Sequence, residues 1–508
     1  GGLQGAGAAA VGGAVAWNEI GGVGRQQTSA ALNHADITSF GNQSAITVKA
    51  EDKSTLGTAA LGIGGAGTAA VEGAAVTSDV AKDVSATMEE TNVQSVAAQP
   101  KAALEVSAAS TGALYTNAIV GAGAGTAGVG GGLAITTALG NTTSLLSGGT
   151  QDVGGVGIRA RSANKILTIG IGGAGGGAAG VAGSAAVNVQ KGDTTAKIAG
   201  GAQLTSAHNV VVAATADRAV DTYAGVGTFA FTGGAVGIST TVNTIKTTTN
   251  AAIEGKDTAV TARGAAYDDA TETRVSAEVQ DKVADNEILH DYVNDTSSLQ
   301  PATYIPRQAS AYEGVAVSAS STNKINVIAG NVGAAAMGVG VGGNVTVSTI
   351  GGATNARIDK AQVTSDKDVK VIARDYANNM GALGTGSIGG VSGAVGIASN
   401  TTTINRDTVA EVTGRNRTAN DIKARDFTVE AVAHHGIASI DVAGSIAAVG
   451  VANANDVALL SGRTRAGISN VNASLSRNFN LEANRKANLH LITGTAGIGA
   501  VGAGVSVN

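Results

Sequence analysis

A short strand motif, Val-x-Ala or a close variant, returns along this chain with a nearly constant phase. It reads Val48-Lys49-Ala50, Val106-Ser107-Ala108, Ile158-Arg159-Ala160, Val212-Ala213-Ala214, Val317-Ser318-Ala319, Val371-Ile372-Ala373, Val429-Glu430-Ala431 and Leu481-Glu482-Ala483. The closing alanines are 58, 52, 54, 105, 54, 58 and 52 residues apart, one double step among single ones. Composition bias does not hold phase over eight copies, so the motif marks a structural repeat of about 54 residues. A self-match supports the register: Ala160–Ile166 (ARSANKI) resembles Ala319–Ile325 (ASSTNKI), 159 residues on, a distance of about three such units.

Between the marks run Gly/Ala-rich arms that end in alternating β-branched residues, as in Gly183 to Asn188, Ala235 to Asn243 and Gly393 to Thr403. Val345 and Val347 alternate with Asn344 and Thr346, which is strand periodicity. The glycine content of these arms would destabilise any helix. With 75 glycines in 508 residues and only 3% aromatics, Ala, Val, Ile and Thr must fill the interior, with glycine where backbones come close. At 43% hydrophobic the chain is too apolar for simple disorder. A single unit cannot bury its own apolar face, but a stack can. The expected fold is therefore all-β, an elongated parallel β-helix (solenoid). Two or three coils per unit would give a rod roughly 90–130 Å long at ~4.8 Å per coil. Separate β-sandwiches are the competing architecture, disfavoured by only three prolines and few aromatic turn signals.

Extra length collects just before the Val-x-Ala strand, at 90–102, 413–426 and 263–313. Insertions at one point of a solenoid repeat emerge on one face, often the binding face. The chain therefore divides into solenoid repeats over 1–262, a lateral insert over 263–313, and continued repeats over 314–508. The insert carries Tyr267, Tyr292, Tyr304 and Tyr312, four of the seven tyrosines, together with Pro301 and Pro306. Ten acidic residues face four basic ones there. Val275, Val279, Val283, Leu289 and Val293 predict an amphipathic helix over 271–293, making the insert mostly helical or irregular. Tyrosine is enriched at interfaces, which makes these four the candidate partner contacts. The plainer role for the insert is to cover an apolar patch of the rod.

The remaining chemistry is sparse. The absence of cysteine excludes thiol catalysis, thiolate metal sites and disulfide staples. A net charge of −5 disfavours nucleic acid as a partner. Adjacent strand residues point to opposite faces, so His434 and His435 cannot share a metal, and the histidines are expected at the surface. Gly172 to Gly177 lacks the Asp of a calcium-binding roll and the Lys-Ser/Thr of a phosphate loop. No cofactor or metal is expected. Charged residues are scattered singly and aromatics are few outside the insert, which argues against a solenoid glycosidase or lyase. The longest apolar stretch, Ile166 to Val189, is dominated by glycine and alanine and reads as sheet, not as a membrane span. Gly1-Gly2-Leu3 is no signal peptide, and the repeat is entered and left part-way, so a segment of something longer is expected.

The repeats VAGSAAVNVQKGDTTAKI (Val181 to Ile198) and VGGNVTVSTIGGATNARI (Val341 to Ile358) resemble those of leukotoxin-type, filamentous-haemagglutinin-like bacterial adhesins. The resemblance covers the chain except 263–313. It implies a β-helical shaft at the bacterial surface or outside the cell, exported through an outer-membrane secretion partner or fused barrel. It also implies roles in attachment, aggregation or host-cell damage, the partner being a host or bacterial cell-surface molecule or other copies of the chain. It transfers no catalytic residue. A subunit of a self-assembling extracellular filament is the alternative, and a solenoid polysaccharide-active enzyme the remote one.

Overall fold

The computed structural model describes residues 2–22, 24–39, 45–96, 101–264, 290–293, 303–306, 313–415 and 421–507. Among them every regular element is a strand. The chain winds through nine coils; a complete coil is built from two long arms and one short strand, while the first has an A arm of five residues and the ninth has no C strand among the described residues. In the fourth coil these are Val156–Gly176 (arm A), Ala179–Ala199 (arm B) and Gln203–Ser206 (strand C). The A arms form one nine-stranded sheet. The B arms form a second sheet, of twelve strands because three arms are interrupted, and the C strands form a third, of eight. Neighbouring coils pair in parallel in all three sheets. The fold is a parallel β-helix, as the repeat predicts.

The Val-x-Ala mark is a physical ladder. Ala50 pairs with Ala108, Ala108 with Ala160, Ala160 with Ala214, Ala214 with Ala319, Ala319 with Ala373, Ala373 with Ala431, and Ala431 with Ala483. One repeat is thus one coil, not two or three. The reason is arm length: two arms of 21 residues take up most of a repeat in a single turn. Nine coils span only about 40 Å along the axis, while each arm extends roughly 70 Å across it. The body is a broad, flat slab instead of a thin rod. The two matching segments at Ala160 and Ala319 also lie two coils apart, not three, because the insert occupies much of the sequence between them.

The insert leaves the stack undisturbed. Arm A of the fifth coil (Val210–Ala230) pairs along its whole length with arm A of the sixth (Gly314–Ala335). The two ends of the excursion are side by side, since a Cβ on Gly264 would lie 3.5 Å from the Gly314 amide. Within the insert, His290–Val293 and Thr303–Pro306 form an antiparallel pair of strands. The last turn of the expected helix is therefore a strand, consistent with the aromatic and β-branched residues in both segments. The rest of 271–293 lies outside the described residues.

Inside the slab, side chains sort into bands. Beside sheet C the three sheets enclose an aliphatic core that includes Leu104, Leu146, Ile158, Ile198, Val212 and Phe427. Further out, Leu56, Leu114, Ile166, Val220 and Ile325 face Val80, Ile245, Ile350 and Ile404. Next comes a buried polar row. Thr136 bonds Thr116 at 2.8 Å and Thr168 at 2.9 Å, and Asn188 bonds Thr222 at 2.9 Å and Asn243 at 2.8 Å. Such a row is tolerated in a dry interior because its members bond one another. At the far rim only small residues fit, and the two sheets meet backbone to backbone. A Cβ on Gly180 would stand 2.3 Å from the Phe229 carbonyl oxygen. Gly180→Val should therefore cost about 1–3 kcal/mol by overpacking. Val181→Ala, on the outward side of the same arm, should change stability by no more than about 0.5 kcal/mol. Urea unfolding midpoints of the two variants check the contrast.

Candidate interaction surfaces and buried ionic groups

Of the four tyrosines singled out above, Tyr292 and Tyr304 stand opposite each other in the antiparallel pair. Tyr267 and Tyr312 lie outside the described residues. The structure thus brings two of the four together at one backbone register. The sole tryptophan, Trp17, points outward from arm B of the first coil (Ala9–Ile20) and is largely exposed.

The outer face of sheet A carries a groove of about 540 Å³ crossing five coils, with Lys53, Lys165, Asp217 and Lys324 along it. Lys165 pairs with Asp221 at 3.3 Å. Partial burial lowers the Lys324 ammonium, against the opposing pull of Asp217 and Asp221. A groove with both signs of charge can recognise a polar ligand.

Two ionic clusters lie between the sheets. In the first, Lys82 reaches Asp52 at 2.6 Å, Ser54 at 2.8 Å and the Thr111 carbonyl at 2.7 Å. In the second, Arg406 donates through Nε to both carboxylate oxygens of Asp375, at 2.9 and 2.8 Å. Its Nη1 reaches the Gly351 carbonyl at 2.9 Å, and its Nη2 reaches Ser321 at 3.1 Å and Thr354 at 3.2 Å. His435 Nε2 closes the group on Asp375 at 2.8 Å. Burial raises the Asp375 carboxyl, but Arg406 and His435 together outweigh it and hold the group well below the usual carboxylate range. Arg218 is buried as well; burial draws its guanidinium down to about 10, against Asp217 and Asp193.

These groups correct two expectations. His435 is 2% exposed and His208 is 3% exposed, so neither is a surface histidine. His434 and His435 do point to opposite sides of the sheet, as adjacent strand residues must. Nor are the charges isolated. Asp375 and Arg406 face each other across the two sheets of the seventh coil, and His435 joins them from arm A of the eighth. The signal for Arg406 was present in the phase: it pairs in register with Gly352, and a neighbour so small leaves room for a guanidinium.

A third buried pair sits near the rim of the eighth coil. Asp441 and Asp456 are fully buried between arms Phe427–Ile446 and Val449–Ser461. Burial, followed by repulsion from Asp456, pushes Asp441 up to about 7. Burial also raises Asp456, against hydrogen bonds from Ser439 and Asn400. Carboxyls buried in a site of low polarity keep protons at a pH where exposed ones do not.

The outer face of sheet B carries another regular feature. Val11, Val71, Val129, Val181, Val236, Val341, Val395 and Val451 occupy one register position in eight successive coils. All eight point outward and none is buried. The coils thus align one valine above another at the inter-strand spacing. No three His, Cys, Asp or Glu side chains among the described residues converge as a metal site. No helix among them is long and apolar enough to cross a membrane. No family model, curated protein or solved structure matches the chain.

Two outcomes test the buried groups. Arg406→Leu leaves the Asp375 carboxylate buried without its main partner and should cost about 3–5 kcal/mol, read from chemical unfolding. Asp441 binds its proton more tightly in the folded chain than in the unfolded one. Its contribution is therefore full below about pH 4 and is lost as pH rises to about 7. Asp441→Asn should flatten thermal stability across that window and raise the melting temperature at pH 8 relative to the parent chain.

Proposed function

We propose that this chain is a structural and adhesive shaft segment of a large secreted or surface-attached bacterial filamentous adhesin. In this reading it mediates attachment or aggregation and works without a catalytic step. The observation that carries it is the alanine ladder, which runs through eight coils and passes the insert without losing register. A stack of this kind is a spacer whose stiffness comes from backbone hydrogen bonds. The insert leaves and re-enters at adjacent points, so a recognition element can project from the shaft without weakening it. Tyr267, Tyr292, Tyr304 and Tyr312 are the residues proposed to touch the partner. Export through an outer-membrane partner or barrel, and an extracellular location, follow from the resemblance of the repeats.

The second reading, a self-assembling filament subunit, is favoured by the outward valine row. A deletion separates the roles. Removing 265–312 and joining Gly264 to Glu313 should leave the unfolding midpoint nearly unchanged, because the ends already meet. Beads coated with the full chain should adhere to bacterial or host cells. Beads coated with the deletion chain should adhere at least tenfold less. A full chain that attaches to neither cell type nor to itself would refute the adhesive reading.

A further inference from the structure

The pattern on the outer face of sheet B, which favours self-assembly, also specifies how a copy would fit it. We infer that this face is an isologous docking surface for a second copy of the same chain, seated through the valine row. The inference rests on the fold alone and does not depend on the adhesin reading.

Three observations lead to it. First, the row is a ridge. Over the first four coils it is bordered on one side by Gly13, Gly73, Gly131 and Gly183 and on the other by Ala9, Ala69, Ala127 and Ala179, while further along the same rows Ile238, Ile397 and Val449 stand among the small residues. Over those four coils a line of branched side chains between two lines of small ones is a ridge with a groove on each flank. Such a profile is self-complementary: the ridge of one copy fills the groove of another, as identical faces do in dry zipper contacts. Second, the spacing is that of the coils, ~4.8 Å. Among partners, the surface that repeats at this spacing with the same profile is a copy of the chain itself.

Third, the face is large enough and free of charge. Across arm B of coils three to six, the residues from Ala127 to Ala138, Ala179 to Gln190, Gly234 to Ile245 and Gly340 to Ile350 include no Asp, Glu, Lys or Arg. Five outward rows by nine coils cover on the order of 1,200 Å² on each copy. A stable interface of standard size needs about 800 Å² per partner. Pairing would bury valines that are otherwise close to half exposed, such as Val71, Val129 and Val181 at 42%, 41% and 40%.

Sedimentation velocity and light scattering on the intact chain test the inference. The parent chain should be dimeric or larger, and Val181→Asp with Val341→Asp should make it monomeric. Both sites face outward, so circular dichroism should hold, and the melting temperature should fall only by as much as dilution of the parent chain below its dissociation range lowers it. The isosteric pair Val181→Thr with Val341→Thr, compatible with strand structure, should weaken association at least tenfold. Ile171→Asp with Ile328→Asp, on the outer face of sheet A, should leave association intact. The inference is overturned if the parent chain stays monomeric at its solubility limit. It is overturned equally if only the sheet A variants dissociate the oligomer. It also fails if a monomeric parent chain floats with phosphatidylcholine–phosphatidylglycerol vesicles and the valine variants do not, since lipid would then be what covers the face.

Discussion

The parallel hydrogen-bond ladder between successive coils governs everything else in this molecule. Each arm is held to the arms before and after it at every residue, so the register cannot drift within a coil. A side chain therefore meets the same position of the neighbouring coil, and its size and polarity must suit that neighbour. This is why alanine stacks on alanine, valine on valine and threonine on threonine. It is also why the largest length variation sits in the connections around the short C strands, where no long arm has to be re-paired.

The ladder also explains how so many polar and charged groups survive inside a slab made of two close sheets. Along a continuous stack, Thr136, Thr168, Asn188 and Asn243 find partners in the coil above, in the coil below or across the gap. Arg406 exploits the same geometry, drawing partners from several coils. A buried ion pair of this kind adds little net stability over a well-packed apolar substitute, but losing one member is expensive. Asp441 and Asp456 follow the opposite logic: two acids occupy one dry space, and the result is sensitivity to pH where Arg406 and Asp375 bring firmness.

Much of the fold was legible in the residues, because a repeat phase is a one-dimensional signal. The alanines of the Val-x-Ala marks fell into one ladder, and the longest step proved to be an excursion between adjacent coils. Coil length was misread. Alternation says that a segment is a strand, but not whether an arm of 21 residues continues straight or folds back. That choice is made at the rim, where turns such as Gly177-Ala178 differ little from the strands they join. The buried ionic groups were missed for another reason. Asp375, Arg406 and His435 look solitary along the chain and become neighbours only when the two arms of the seventh coil face each other and the eighth coil is laid beside them. The valine row is the same kind of pattern: it emerges once the phase is used to align the arms. The tyrosines of the insert were found by composition, and the backbone sets two of them opposite each other.

The flat cross-section described above carries a mechanical consequence. A cylinder bends equally in every direction, whereas this body is a ribbon, with arms roughly 70 Å long and facing sheets that draw together from the aliphatic core to backbone contact at the rim. Bending stiffness rises steeply with the depth of material in the bending plane. The ribbon should therefore flex readily out of its plane and strongly resist bending within it, while the three-sheeted edge acts as a spine along one margin. A structure of this shape can follow a curved surface while keeping its two broad faces presented in fixed order, which a round shaft of the same sequence length could not do.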